Sequence, residues 1–390
     1  MHLVPISLLK LNNPDENFQV VLDVMAPSGA LVVAAGNFIK ASTLAKLENF
    51  QIPSVWIKVL DRKGEEVLES ETLKILKTLK TSKATQPQVT AQPQTAVQPQ
   101  IIVPQSVQSA EFVQYKQQYE NRVKDLEVHS NKIKQGETPE LDAIYNSILD
   151  ISNSVANSSD ILTYMYFLQD FDDHTFHHST NVSLLCKLMG KWLKCSEEDA
   201  RILTIAGALH DIGKTEIEKG IINKPGKLTD EEFDRMKKHP IIGYNLLKNL
   251  DVPEAVKLSA LMHHEKIDKS GYPLGIDSSK INDFSKIVTI CDIYEAMTAK
   301  RSYKEPMCPF KVIEYFELSL LGALDTEKLL TFLRQIANNY VGTKAELNDG
   351  QIVEIMFISP ESITHPVVKT INGDLLPLKD FPDLKIVELK

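Results

Sequence analysis

The chain has 390 residues, 43% of them hydrophobic and 24% charged, with a formal net charge of −9. That composition is ordinary for a globular protein and excludes collagenous or wholly disordered chains, while the length predicts two or three domains, because single cores stop growing at a few hundred residues. The acidic balance argues against a general binder of nucleic-acid polymers or anionic membranes, whose footprint is basic.

Residues 1–80 read as a small α+β domain. Phe18-Gln-Val-Val-Leu-Asp-Val24 and Ala30-Leu-Val-Val-Ala-Ala35 are predicted strands around a turn at Pro27-Ser-Gly29, Ser42 caps a helix running to Phe50, and Val55-Trp-Ile-Lys-Val59 is a further strand. Nothing in this part carries chemistry, so a regulatory or docking role is expected. Residues 84–110 contain no charged residue and repeat Gln-Pro-Gln at Gln86, Gln92 and Gln98. Such a segment has too little apolar surface to offset its ordering entropy and is predicted to be a linker.

Residues 111–336 are predicted to be helical. Glu111 to His129 reads as a polar helix that packs as a connector or in a homodimer. Ser196-Glu-Glu-Asp199 has the form of a capping box, and the apolar residues Ile202, Leu203, Ile205, Ala206 and Leu209 behind it deliver His210 and Asp211 at the helix end. Thr229-Asp-Glu-Glu232 opens a second capped helix, expected to carry His239. From 340 to 390 the pattern alternates, with Asn348-Asp-Gly350 as a hairpin turn, and a short β appendage capping the helical part is expected. No apolar run approaches the ~20 residues of a membrane helix. Residues 1–10 lack the basic start and long apolar stretch of a signal peptide. The four cysteines are too scattered for a disulfide framework, so a reducing, cytoplasmic compartment is expected.

Seven of the ten histidines, His174, His177, His178, His210, His239, His263 and His264, fall between residues 173 and 265, joined by Asp211 and Asp292. A lone histidine is most often a satisfied core or surface residue. The combination differs, because a His-Asp pair at the inner end of an apolar helix needs a reason to be there. Imidazole and carboxylate ligands suit divalent Fe, Mn, Ni or Zn, and there are enough for two ions. The absence of cysteine pairs argues against a thiolate zinc site.

His210-Asp-Ile-Gly-Lys214 resembles the signature of the HD phosphohydrolase superfamily, and His263-His-Glu-Lys-Ile-Asp-Lys-Ser-Gly-Tyr-Pro273 resembles that of its HD-GYP subfamily. Ile222-Asn-Lys-Pro-Gly-Lys-Leu-Thr-Asp-Glu-Glu232, His239-Pro240, Asp292 and Arg301-Ser-Tyr-Lys304 follow the same pattern, so the resemblance covers residues 161–316. It implies an all-α, HD-type catalytic core with two divalent ions, Fe or Mn first and Ni or Zn next. The implied activity is hydrolysis of cyclic-di-GMP to pGpG and on to GMP. Carried over residue by residue, His178, His210, Asp211 and Asp292 hold one ion; His239, His263 and His264 hold the second, with Asp211 shared between them. Asp211 and Lys214 are the catalytic expectation. Gly271, Tyr272 and Pro273 shape the substrate wall, and Arg301 and Lys304 contact its phosphates. His174 stands where family members with three metals carry a Glu, so it is a candidate extra ligand, with a third ion expected to be weak or absent. Two departures stand out: Lys269 replaces a usual Gly, and Ser302 a usual Pro. Three readings stay open: a cyclic-di-GMP phosphodiesterase, a cyclic-di-GMP-binding effector or docking module with little turnover, and an HD hydrolase acting on another nucleotide.

Overall fold

The computed structural model describes residues 2–5, 18–20, 24–25, 31–33, 39, 43, 54–59 and 110–390, apart from 156–157, 169–173, 225 and 300–305; the side chains of 2–5, 18–19, 24–25, 31–32, 54–59, 110, 158, 159 and 174 also lie outside the description. The chain divides into two compact units, Met1–Gln98 and Pro99–Lys390. In the first, β1 (His2–Pro5), β5 (Ser54–Val59) and β2 (Phe18–Val20) form an antiparallel sheet in the order β1-β5-β2, and β3 (Val24–Met25) pairs with β4 (Leu31–Val33). Each expected strand coincides with described strand residues: β2 and the start of β3 fall in the stretch from Phe18, β4 in that from Ala30, and β5 covers 55–59. The turn at 27–29, the helix from Ser42 apart from Thr43, and the linker at 84–109 fall outside the described residues.

The second unit is mainly helical: α1 (Ala110–Lys134), α2 (Leu141–Asn153), α3 (Ser158–Phe167), α4 (His174–Trp192), α5 (Glu197–Leu209), α6 (Lys219–Ile222), α7 (Asp230–Met236), α8 (His239–Leu247), α9 (Glu254–Met262), α10 (Asp283–Thr298), α11 (Pro309–Tyr315) and α12 (Thr326–Asn339). A five-stranded antiparallel sheet follows, β6 (Lys344–Leu347), β7 (Ile352–Ser359), β8 (Ser362–Thr370), β9 (Leu375–Pro377) and β10 (Ile386–Leu389), in the order β10-β6-β7-β8-β9. Asn348-Asp-Gly350 forms the β6–β7 turn as expected. The sheet packs on α11 and α12, and its inward Val353, Ile355 and Val368 share one apolar core with Phe310, Phe332 and Ile336. Among the described residues no helix is long and apolar enough to cross a membrane, and all four cysteines are free thiols.

Two local expectations are corrected. The helix from residue 111 is not simply polar: α1 buries Phe112, Tyr115, Tyr119, Val123, Leu126 and Ile133 against α2 and α4. With the buried Ser130 these recur every three or four residues, so a narrow seam faces the core while charges cover the rest. The helix capped by Thr229 does not carry His239. It ends at Met236, and His239 opens α8 with Pro240 behind it. Proline disfavours helical geometry in the residue before it and has no N–H to donate, so a new helix starts there. The caps themselves hold: Ser196 Oγ accepts from Asp199 N, and Thr229 and Glu232 make the full reciprocal box.

α5 supports the whole site. Residues Leu203 to Leu209 are all buried, so the helix runs through the core and presents His210 and Asp211 from its inner end. The turn that follows presses on α8: a Cβ on Gly213 would lie 2.0 Å from His239 O and 2.6 Å from Gly243 N. Only glycine permits that approach, and it brings His239 alongside Asp211.

Candidate metal centre and cleft

Five elements converge on Asp211, which is 2% exposed. Its Oδ2 lies 3.3 Å from both His178 Nε2 (α4) and His210 Nε2, and its Oδ1 lies 3.2 Å from His239 Nε2 (α8) and 3.5 Å from His263 Nε2 at the end of α9. Asp292, from α10, closes one side: its Oδ1 is 3.1 Å from His178 Nε2 and its Oδ2 3.7 Å from His264 Nδ1. The donor atoms fall into two groups, Asp211 with His239, His263 and His264, and His178 with His210 and Asp292. Within each group all atoms lie within 4.8 Å of one another. Lys214 Nζ donates to Asp211 Oδ2 from one turn further along.

The outer nitrogens of the imidazoles are tied to acceptors. His210 Nδ1 donates to Gly207 O at 2.8 Å, His239 Nδ1 to Met236 O at 2.7 Å, and His263 Nδ1 to Ser259 O and Ala260 O at 3.1 Å each. A carbonyl can only accept, so the protons sit on Nδ1 and the Nε2 lone pairs point inward. His239 Nε2 and His263 Nε2 then face each other at 3.1 Å, an arrangement of two acceptors that calls for a positive charge between them. His178 Nε2, His210 Nε2 and Asp211 Oδ1 are buried without a well-formed hydrogen bond. Buried polar atoms of that kind are rare without a partner, and a hard or borderline divalent cation suits this donor set. The residues therefore fit a metal centre.

For His263, His264 and the two carboxylates, electrostatics point the same way, whereas the carboxylates around His178 favour its charged form. Burial, with the neighbouring His210 and His239 adding to it, holds His263 down to about 4, so its ring is neutral near pH 7 and available as a ligand. Burial also holds His264 well below the usual histidine range, reinforced by His263. Burial opposes ionisation of Asp211 and Asp292, but Lys214 and His210 for the first, and His178 for the second, outweigh it and hold both well below the carboxylate range. Burial likewise opposes charge on His178, yet Glu295, Asp211 and Asp292 hold it well above its ordinary value.

Above the cluster lies a cleft of about 1150 Å³ whose lining includes His178, His239, His264, Asp292, Lys214, Gly271 and Tyr272. Tyr272 stacks on His264 with ring centres 4.5 Å apart. Gly271 is required by close packing, since a Cβ there would meet His264 O at 2.4 Å. Pro273, joined to Tyr272 by a cis bond, does not line the cleft. Arg301 and Lys304 lie outside the described residues, as does the side chain of His174. Lys269 stands at φ +66, which explains why a glycine is usual at that position, and its ammonium pairs with Asp277 at 3.2 Å outside the cleft.

Sequence reasoning missed several residues. Glu295, 4% exposed and one helical turn beyond Asp292, accepts from His178 Nδ1 and so orients that ring. Its spacing from Asp292 was the available signal. Glu265, 2% exposed, accepts from the backbone N–H groups of Leu274 at 2.6 Å, Gly275 at 3.3 Å and Ile276 at 3.4 Å, which clamps the loop that carries Tyr272. Lys237 and the half-exposed Phe233 also line the cleft, brought there by α7.

The family model described as "HD domain" matches residues 163–319. That part of the chain is an HD domain. The chain aligns with curated relatives, among them a cyclic di-GMP phosphodiesterase of Pseudomonas aeruginosa, 31% identical over 221 residues, covering 56% of this chain and 53% of the relative. The cyclic di-GMP phosphodiesterase response regulator RpfG of Xanthomonas campestris pv. campestris is 41% identical over 126 residues, 32% of this chain and 33% of the relative. The 3'3'-cGAMP-specific phosphodiesterase 3 of Vibrio cholerae is 34% identical over 154 residues, 40% of this chain and 34% of the relative. The chain thus spans about half the length of these relatives, or less.

Proposed function

We propose that the HD domain is a metal-dependent phosphodiesterase of the HD-GYP type that hydrolyses cyclic-di-GMP to pGpG and onward to GMP. The observation that carries this reading is the sharing of one buried carboxylate, Asp211, between two sets of imidazoles at the floor of a cleft walled by Gly271 and Tyr272. The relatives named for cyclic di-GMP hydrolysis support the substrate class.

His178, His210, Asp211 and Asp292 would hold one divalent ion, and His239, His263 and His264 a second, with Asp211 between them. Fe or Mn suits these donors first, then Ni or Zn. Such ions polarise phosphoryl oxygens and lower the pKa of water. The chain's own residues supply the rest. Lys214, held by Asp211 at the cleft edge, brings a positive charge to the phosphate. Lys224, Lys237 and Lys266 line the same cleft and let an acidic protein attract an anionic substrate locally. Tyr272, stacked on His264, offers an aromatic face beside the reacting centre. Arg301 and Lys304 are read as phosphate contacts and Pro273 as a shaper of the loop. His174 is a candidate for a weak third ion. Residues 1–80 are read as a regulatory or docking domain for a signalling partner or a second copy, 84–110 as its linker, 111–336 as the catalytic core and 340–390 as a structural cap. The four free thiols favour a reducing, cytoplasmic setting.

A second cyclic dinucleotide is kept in view, because three relatives are named for 3'3'-cGAMP. Incubating Mn²⁺-loaded protein with cyclic-di-GMP and with 3'3'-cGAMP, and resolving linear dinucleotide from mononucleotide, tests the reading. Faster turnover of cyclic-di-GMP supports it; binding without turnover of either makes the domain an effector module.

A further inference from the structure

A chain of polar contacts runs from α1 into the metal centre. Tyr119, 1% exposed, lies in the middle of α1 and turns its hydroxyl toward Asn181 Oδ1 at 2.8 Å, the shorter of two contacts, with His177 O a second acceptor at 3.2 Å. Asn181 Nδ2 donates to Glu295 Oε1 at 3.1 Å, and Glu295 Oε2 accepts from His178 Nδ1. The carboxylate only accepts, so the amide must turn its NH₂ toward Glu295 and its oxygen toward Tyr119. Three helices are joined in this way. His178 and Asn181 stand one turn apart on α4, and Asp292 and Glu295 one turn apart on α10, so each pair shares a helix face. The Tyr119 ring is itself fixed, stacked against Tyr115 at 6.1 Å and His177 at 5.6 Å.

We infer that Tyr119 and Asn181 are positioning residues that set the orientation of His178 through Glu295, so that the packing of α1 is read directly at one corner of the metal centre. The inference rests on the proposed metal-binding role of His178. A buried carboxylate beside a histidine fixes both tautomer and ring angle, and partners of this kind change metal affinity by roughly 10–100-fold when removed. Asn181 holds one oxygen of that carboxylate, and Tyr119 holds Asn181. α1 is also the element by which the chain enters the helical unit, so a shift of α1 would loosen His178 without touching any ligand.

The test is Mn²⁺ titration of the full-length protein, read by equilibrium dialysis and by the electron paramagnetic resonance of the bound ion. The variants are Tyr119→Phe, which keeps the stacked ring and loses only the hydroxyl, Asn181→Leu, the double variant, and His178→Ala as reference. Thermal melting of each accompanies the titration. The expected result is about 10-fold weaker binding of one of two ions in Asn181→Leu and a smaller loss in Tyr119→Phe. The double variant should lose less than the two single losses combined, because both act through one chain of contacts. Tyr119→Phe should melt within a few degrees of the parent and keep the second ion. If His178→Ala loses an ion while Tyr119→Phe and Asn181→Leu bind both with parental affinity and resonance, the relay is refuted and the metal reading stands. If His178→Ala binds both ions as tightly as the parent, the metal reading fails and the relay with it.

Discussion

Glu265 is the side chain on which the shape of the cleft wall depends most directly, and Glu265→Gln isolates its contribution. The carboxylate is buried beside His264 and gathers three backbone N–H groups: Leu274 and Gly275 on Oε1, Ile276 on Oε2. In the amide, one position becomes an NH₂ group. If the oxygen stays toward Leu274, the NH₂ faces the N–H of Ile276, and donor meets donor. One charge-assisted contact is then lost and the others weaken. Hydrogen bonds to charged groups contribute roughly 1.5–3 kcal/mol, so a loss of about 2 kcal/mol is expected. For a domain of this size each kcal/mol moves the melting temperature by roughly 2–4 °C, so a fall of about 4–8 °C follows. The ligands are untouched, so metal content should stay at the parental value. Tyr272, carried by the clamped loop and stacked on His264, should lose its fixed position. If all of the loss appears at the transition state, kcat/KM for cyclic-di-GMP falls by up to about 30-fold. Differential scanning calorimetry, metal analysis and steady-state kinetics on one preparation decide the matter. Parental melting and kinetics would show that the loop holds its shape without Glu265, and loss of metal would show that Glu265 supports His264 rather than the loop.

Asp211→Asn should leave the helical unit folded by circular dichroism but strip at least one ion and abolish turnover, because an amide offers one neutral oxygen and an NH₂ group where two cations would need anionic oxygens; full activity with parental metal content would remove Asp211 from the site. Lys269→Gly should raise the melting temperature by about 1–3 °C, since relief of a left-handed penalty of roughly 1–2 kcal/mol exceeds the 0.5–1 kcal/mol that glycine costs through chain entropy. The lost Lys269–Asp277 pair is solvent-exposed and contributes little; an unchanged or lower melting temperature would count against strain at that position. Gly213→Ala should destabilise the protein by on the order of 3 kcal/mol or more, because the added Cβ would strike His239 O and Gly243 N, both backbone atoms that cannot rotate aside. A soluble variant with parental melting would show that α8 can shift without loss.

Much of the site was legible because its signals are local. An apolar run behind Ser196 ends on His210-Asp211, and a helix buried along its last two turns has to deliver that pair inward. The reciprocal box at Thr229 and the turn at Asn348-Asp-Gly350 are likewise set by residues within four positions of one another. The apolar seam of α1 is not legible in the segment because three of its inward residues are aromatic, two of them tyrosines, set among charges. Whether a tyrosine faces water or core depends on what packs against it, and the segment itself does not say. The end of α7 at Met236 shows the same limit: Pro240 was visible, but its power to start a new helix depends on His239 being held against Gly213.

The amino-acid order determined which residues could ligate and that His210 and Asp211 stand at the end of an apolar helix, because those follow from side-chain chemistry and short-range geometry. Only the tertiary structure decided which oxygen of Asp211 each histidine faces, that Glu295 reaches across 117 positions of sequence to His178, and that Glu265 ties the loop bearing Tyr272. Those contacts arise when α4, α5, α8, α9 and α10 close around a single buried carboxylate, and the burial that fixes their protonation exists only once that closure is complete.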